Sequence, residues 1–250
     1  MWKIRRFLLC LAVFVLFVSS VCAERLPQSK LLEFYENCVF VGDSITQQFH
    51  AYMNVKKKKE DGFSFPVKYL AAQSYMLYTA SRKYQTTRGV SLTFRGNEMP
   101  LCDILQLMKP NKAFILLGVN DYAGKEIEKY IGCCDRLIDL AAQSAPDTGL
   151  VFFSLTPVTR AFCRKQDYRT MWDAYNAELE KECEARGAGY IDIASNLKDE
   201  EGYLREDYSS DGQYHLNHDG LEIWFQKLMD YAQEQYDKGL WMPKEENENE

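Results

Sequence analysis

A single three-layer α/β/α domain on a parallel sheet of about five strands is the fold this sequence predicts. Three observations carry it. Short apolar runs recur along the chain, segments with helical spacing of apolar residues lie between them, and Pro110, Pro146 and Pro157 fall in the connections. A chain of 250 residues is long enough for one domain with a well-buried core.

The N-terminus reads as a separate element. Lys3, Arg5 and Arg6 precede an unbroken apolar stretch at 7–18, and Val21-Cys22-Ala23 offers a signal-peptidase site before Glu24. The stretch is short for a bilayer span, which needs about 20 residues. A cleaved leader over 1–23 is therefore expected, with an uncleaved membrane anchor as the alternative. A lipoprotein reading through Cys22 is weaker, because Val21 sits where a small residue is wanted. The leader holds three of the 30 basic residues and none of the 36 acidic ones, which leaves the mature chain a net charge of −9. Such a balance argues against nucleic acid as a partner.

The sheet is expected from the runs at 38–42, 67–71, 113–118, 150–155 and 189–193, which are apolar almost throughout. Strands covered by helices on both faces have this composition. Ile127, Ile131, Cys134, Ile138 and Ala141 share one helical face. So do Tyr168, Trp172, Tyr175, Leu179 and Cys183, and likewise Leu221, Trp224, Leu228 and Tyr231. Right-handed crossovers then wrap these helices over both faces of a flavodoxin-like sheet spanning 24–243.

Two stretches depart from the pattern. Residues 47–66 read as a long polar connection, with the lysine run at 56–59 in a solvated loop. The β-like run at 90–95 suggests a hairpin added to the main sheet, and the acidic tail at 244–250 is expected to be disordered. Cys38, Cys102, Cys133, Cys134, Cys163 and Cys183 remain after the leader, as buried thiols or as disulfides. Their spacing gives no zinc pattern, so no metal and no cofactor is expected.

In open parallel sheets, reacting groups collect beyond the carboxyl ends of the strands. Gly42-Asp43-Ser44 follows the first run, Gly118-Val119-Asn120-Asp121 follows the third, and His215-Leu216-Asn217 precedes the last helix. In this order and these places, the three blocks resemble those of the SGNH/GDSL hydrolases, from Cys38 to the final helix. A serine hydroxyl needs a base before it attacks. Three histidines are present, and His215 is preferred over His50, read as a surface residue, and His218, read as capping or exposed.

The resemblance implies the SGNH hydrolase fold, with Ser44 as nucleophile, His215 as base and Asp211 orienting the imidazole. It also implies oxyanion donors from the Ser44 N–H, the Asn120 amide and a backbone N–H after the second strand. At that last position the family usually has glycine. This chain reads Ala71-Ala72-Gln73-Ser74-Tyr75, so Ser74 or Gln73 must supply the donor. Asp43 and Asp121 are expected to fix loops. Asp211 stands four residues before His215 where the family has three, and a bulge at Gly212 is expected to absorb the difference.

The implied activity is an extracytoplasmic esterase acting through an acyl-serine, on a small-molecule, glycan or lipid ester. The reading leans toward small acyl groups on carbohydrate. An acyltransferase with the same residues and a non-catalytic binding module on the same fold are the alternatives.

Overall fold

The structure, a computed structural model, describes residues 24–84, 89–121 and 127–244. The leader at 1–23 and tail residues 245–250 lie outside the described residues. Strands β1 (Cys38–Gly42), β2 (Val67–Ala71), β5 (Lys112–Leu116), β6 (Gly149–Phe153) and β7 (Gly189–Ile191) form one parallel sheet in the order β2-β1-β5-β6-β7. This is the flavodoxin-like order, and its switch point lies between β1 and β5.

Alternate residues of each central strand feed two separate cores. Val39, Val41, Ala113, Ile115 and Phe152 pack beneath α4 (Leu101–Met108), α5 (Ile127–Ser144) and α6 (Tyr168–Arg186). Phe40, Phe114, Leu116, Val151 and Phe153 face α1 (Gln28–Glu33), α2 (Ser44–Lys59) and α7 (His218–Asp237). Trp224 of α7 is fully buried there, with its ring 4.3 Å from Phe49 and 5.2 Å from Phe153. Burying an aromatic ring of that size contributes about 2–3 kcal/mol, so the three-layer arrangement rests largely on such contacts.

The structure corrects several expectations. Residues 44–59 form helix α2 instead of a polar connection, because Ile45, Phe49 and Met53 repeat every four residues and all three are buried. The lysine run occupies the last turn of this helix, where positive charge meets the helix dipole favourably. Lys56 is held by Glu60 at 2.8 Å and by Glu222 at 3.2 Å, so it is no solvated loop residue. The hairpin is a separate two-stranded unit, β3 (Leu92–Phe94) with β4 (Asn97–Met99), and does not join the main sheet. Arg95 and Gly96 both have positive φ, 51° and 81°, as a two-residue hairpin turn requires.

Strand ends also fall earlier than the apolar runs suggest. Leu117, Leu155 and Ile193 are buried but lie beyond the paired residues. Lys244, expected in a disordered tail, is docked on α1 through its N–H to Glu33 at 2.8 Å. All six cysteines of the described residues are free thiols, and all but Cys163 are buried.

Candidate active site

Gly42 ends β1 between Ala71 of β2 and Leu116 of β5, so the segments that follow these three strands emerge side by side. The turn into α2 is tight. A Cβ on Gly42 would stand 1.9 Å from Thr46 Oγ1 and 2.9 Å from the Leu116 carbonyl, so only glycine lets the helix start here. Asp43 then caps the helix, its carboxylate accepting the Ile45 N–H at 2.9 Å. Ser44 is consequently the first helical residue, half-buried at the edge of the sheet.

Across from it, Ser44 Oγ lies 3.0 Å from His215 Nε2, and His215 Nδ1 lies 2.6 Å from Asp211 Oδ2. The extra residue between Asp211 and His215 is taken up by Gly212 at φ 70°. Asp211 Oδ1 accepts the Gln213 N–H at 2.7 Å, which folds the intervening residues outward. Burial by itself would raise the Asp211 carboxyl, but the hydrogen bonds from His215 and Gln213 bring it below its usual range, so it stays ionised beside the imidazole. The rival carboxylate, Asp207, is turned away and paired with Arg205 at 2.6 Å.

The other two histidines are elsewhere. His50 is exposed on α2 and stacks on Tyr69 at 4.1 Å. His218 is exposed at the start of α7 but does not cap it. Asn217 does, accepting the Asp219 and Gly220 N–H groups at 3.0 and 3.1 Å. That role went unread in the sequence, although asparagine ahead of an acidic first turn is a cap signature. The cap holds the chain just behind His215 in one direction.

Asn120 and Asp121 follow β5 and tie the remaining loops together. The Asn120 amide donates to Asp43 Oδ2 at 2.8 Å and to the Tyr75 carbonyl at 3.3 Å, so it is held in place and not free. Both Asp121 oxygens accept backbone N–H groups, those of Leu77 and Tyr78, each at 2.7 Å. The short helix α3 (Leu77–Ala80) is thereby fixed at its start. Just before Tyr75, Ser74 adopts φ 60°, the left-handed backbone for which glycine is the usual residue. The chain thus keeps a glycine-type turn without the glycine. The N–H groups of Ser74 and Ser44 have no acceptor among the described residues.

Asp43 is fully buried. Burial pushes its carboxyl up to about 7, against the opposing pull of the Ile45 N–H and of His215, while Asp121 adds to the rise. Among the described residues no cluster of three or more His, Cys, Asp or Glu is placed to hold a metal ion, and no helix is long and apolar enough to cross a membrane.

Comparison with known proteins gives the family and the fold. Residues 40–223 match the GDSL-like lipase/acylhydrolase family. The fold is similar to that of a GDSL-like lipase from Bacteroides thetaiotaomicron, with 16% identity, a TM-score of 0.57 and coverage of 80% of this chain and 88% of that one. An acetyl-xylooligosaccharide esterase from Geobacillus is similar at 12% identity and a TM-score of 0.53, covering 78% and 93%. The periplasmic domain of a Salmonella lipopolysaccharide acetyltransferase also has 12% identity and a TM-score of 0.53, covering 78% and 83%. No curated protein matches the chain in sequence.

The buried Asp43 gives a pH test. Its carboxyl binds a proton more tightly in the folded chain than in the unfolded one, where it titrates near 3.8. Its contribution to stability is therefore greatest below about pH 4 and is lost as the pH rises to about 7. Asp43→Ser keeps a good helix cap and removes the titration. Urea unfolding between those two pH values should show the wild type losing stability relative to the variant as pH rises. Parallel curves would show that Asp43 titrates no differently in the fold.

Proposed function

The chain belongs to the GDSL-like lipase/acylhydrolase family, and we propose that it is a serine esterase with Ser44 as nucleophile and His215 as general base. The observation that carries the reading is the unbroken hydrogen-bonded line from Asp211 through His215 to Ser44, at 2.6 and 3.0 Å. His215 Nε2 takes the Ser44 proton as Oγ attacks the ester carbonyl. Ionised Asp211 holds the Nδ1 proton and stabilises the imidazolium that forms. The tetrahedral oxyanion is received by the Ser44 and Ser74 N–H groups and by the Asn120 amide, whose longer bond to Tyr75 is the one an oxyanion can replace. His215 then returns the proton to the leaving alcohol. Water attacks the acyl-serine by the same route and frees Ser44. A binding module without chemistry has no use for this alignment.

The substrate proposed is a small acyl group, such as acetyl, on carbohydrate. Likeness to the acetyl-xylooligosaccharide esterase supports it. The second reading is transfer of the acyl group to a sugar hydroxyl in place of water, favoured by the likeness to the lipopolysaccharide acetyltransferase domain. A chromogenic acetyl ester, turned over with and without added sugar, separates the two. Hydrolysis indifferent to sugar is expected, whereas acetylated sugar as the main product would favour transfer. In the same assay Asn120→Ala should lower turnover by about 100–1000-fold with KM little changed. A loss below about tenfold would make Asn120 a loop residue only.

Export is part of the proposal, resting on the charged and apolar pattern of residues 1–23. Protein exported by a bacterial host should begin at Glu24 on N-terminal sequencing. Retention of Met1 in the membrane fraction would show an anchor instead.

A further inference from the structure

We propose that Thr159 is a positioning residue for His215, clamping the one-residue-longer Asp211–His215 loop through its outward carbonyls. The inference rests on the esterase reading above and deepens it.

Inside the loop the hydrogen bonds are local. Asp211 Oδ1 accepts the N–H groups of Gln213 at 2.7 Å and His215 at 3.3 Å, Gly212 N–H donates to Ser209 Oγ at 2.9 Å, and Ser210 N–H donates to the His215 carbonyl at 2.9 Å. These bonds close the loop on itself. They leave the carbonyls of Gly212, Gln213 and Tyr214 pointing away, toward the connection that follows β6. There Thr159 Oγ1 donates to the Gly212 carbonyl at 2.6 Å, and the Thr159 N–H donates to the Gln213 carbonyl at 2.8 Å. Thr156 Oγ1 adds a longer contact of 3.4 Å to the Tyr214 carbonyl.

The clamp is itself rigid. Thr159 is 1% exposed and Thr156 is fully buried. The carbonyl of the intervening, fully buried Val158 accepts the Leu204 N–H at 2.8 Å. Thr159 Oγ1 also accepts the Phe162 N–H at 3.3 Å, which directs its own proton onto the Gly212 carbonyl. The Tyr214 ring packs on Phe162 and Trp172, at 5.3 and 5.8 Å between centroids. That apolar contact anchors one side chain without fixing the peptide planes at 212 and 213.

Asp211 and His215 keep side-chain exposures of 29% and 23%, so packing alone does not immobilise them. A longer loop has more ways to misplace an imidazole, and Thr159 removes them by holding two consecutive peptides. A valine has the same shape without the hydroxyl. Placement errors near 1 Å at a reacting group cost on the order of 100-fold, so a partial loosening should cost about 10- to 100-fold.

The test compares Thr159→Val, Thr159→Ala and Thr159→Ser on a short-chain chromogenic ester, with Ser44→Ala as control. It also follows the downfield proton resonance of His215 Nδ1–H in each folded protein without substrate. Thr159→Val and Thr159→Ala should lower kcat about 10- to 100-fold with KM unchanged, and should weaken and shift the downfield resonance. Thr159→Ser should restore both. Thr159→Ala, with less bulk, serves if the valine does not fit. Wild-type kcat and an unmoved resonance in the folded variants would overturn the proposal. So would a serine variant as impaired as the alanine one, because shape and not the hydroxyl would then matter. If the wild type shows no ester turnover beyond Ser44→Ala, the esterase reading fails, while the resonance still decides the clamp.

Discussion

The site depends first on one buried carboxylate. Asp43 is removed from water at the end of β1 and satisfied by the Ile45 N–H on one oxygen and the Asn120 amide on the other. A buried carboxylate is costly unless its oxygens are paired. Its raised proton affinity, about 7, shows that the pairing only partly offsets burial. What is gained is position. One oxygen starts α2 at Ser44, and the other holds Asn120 at the far side of the sheet's switch point. The proposed nucleophile and the proposed oxyanion donor are thus referenced to the same group.

From that point the remaining loops are fixed in sequence. Asn120 reaches the Tyr75 carbonyl, and Asp121 caps the first two N–H groups of α3. Just ahead of these anchored residues Ser74 is left-handed, a conformation that costs a non-glycine residue roughly 1–2 kcal/mol. The His215 loop arrives independently from the other end of the chain, steadied behind by the Asn217 cap and beside by the connection after β6. A parallel sheet makes this convergence possible, because every strand delivers its following loop to the same edge.

Much of this was legible in the residues, for identifiable reasons. The three central strands are apolar almost throughout because both faces are covered, and the sheet order matches the expected fold. Their ends were not legible, since Leu117, Leu155 and Ile193 stay buried after strand pairing stops. Helix α2 was hidden by its glutamines and lysines, which outnumber the three residues that anchor it. The unusual Asp211–His215 spacing could be reconciled in advance because glycine at 212 permits the positive φ the bulge needs. The Asn217 cap and the threonines after β6 were not anticipated. Their roles depend on backbone groups brought together by folding, which residue patterns alone do not display.

The central claim is that His215 activates Ser44 for attack, and covalent labelling tests it most directly. A serine-reactive phosphonylating probe, followed by peptide mapping in the mass spectrometer, should mark Ser44 alone. Labelling should fall to background in His215→Ala, because the hydroxyl is a weak nucleophile without its base. A label on another serine, or equal labelling of Ser44 with and without His215, would contradict the account.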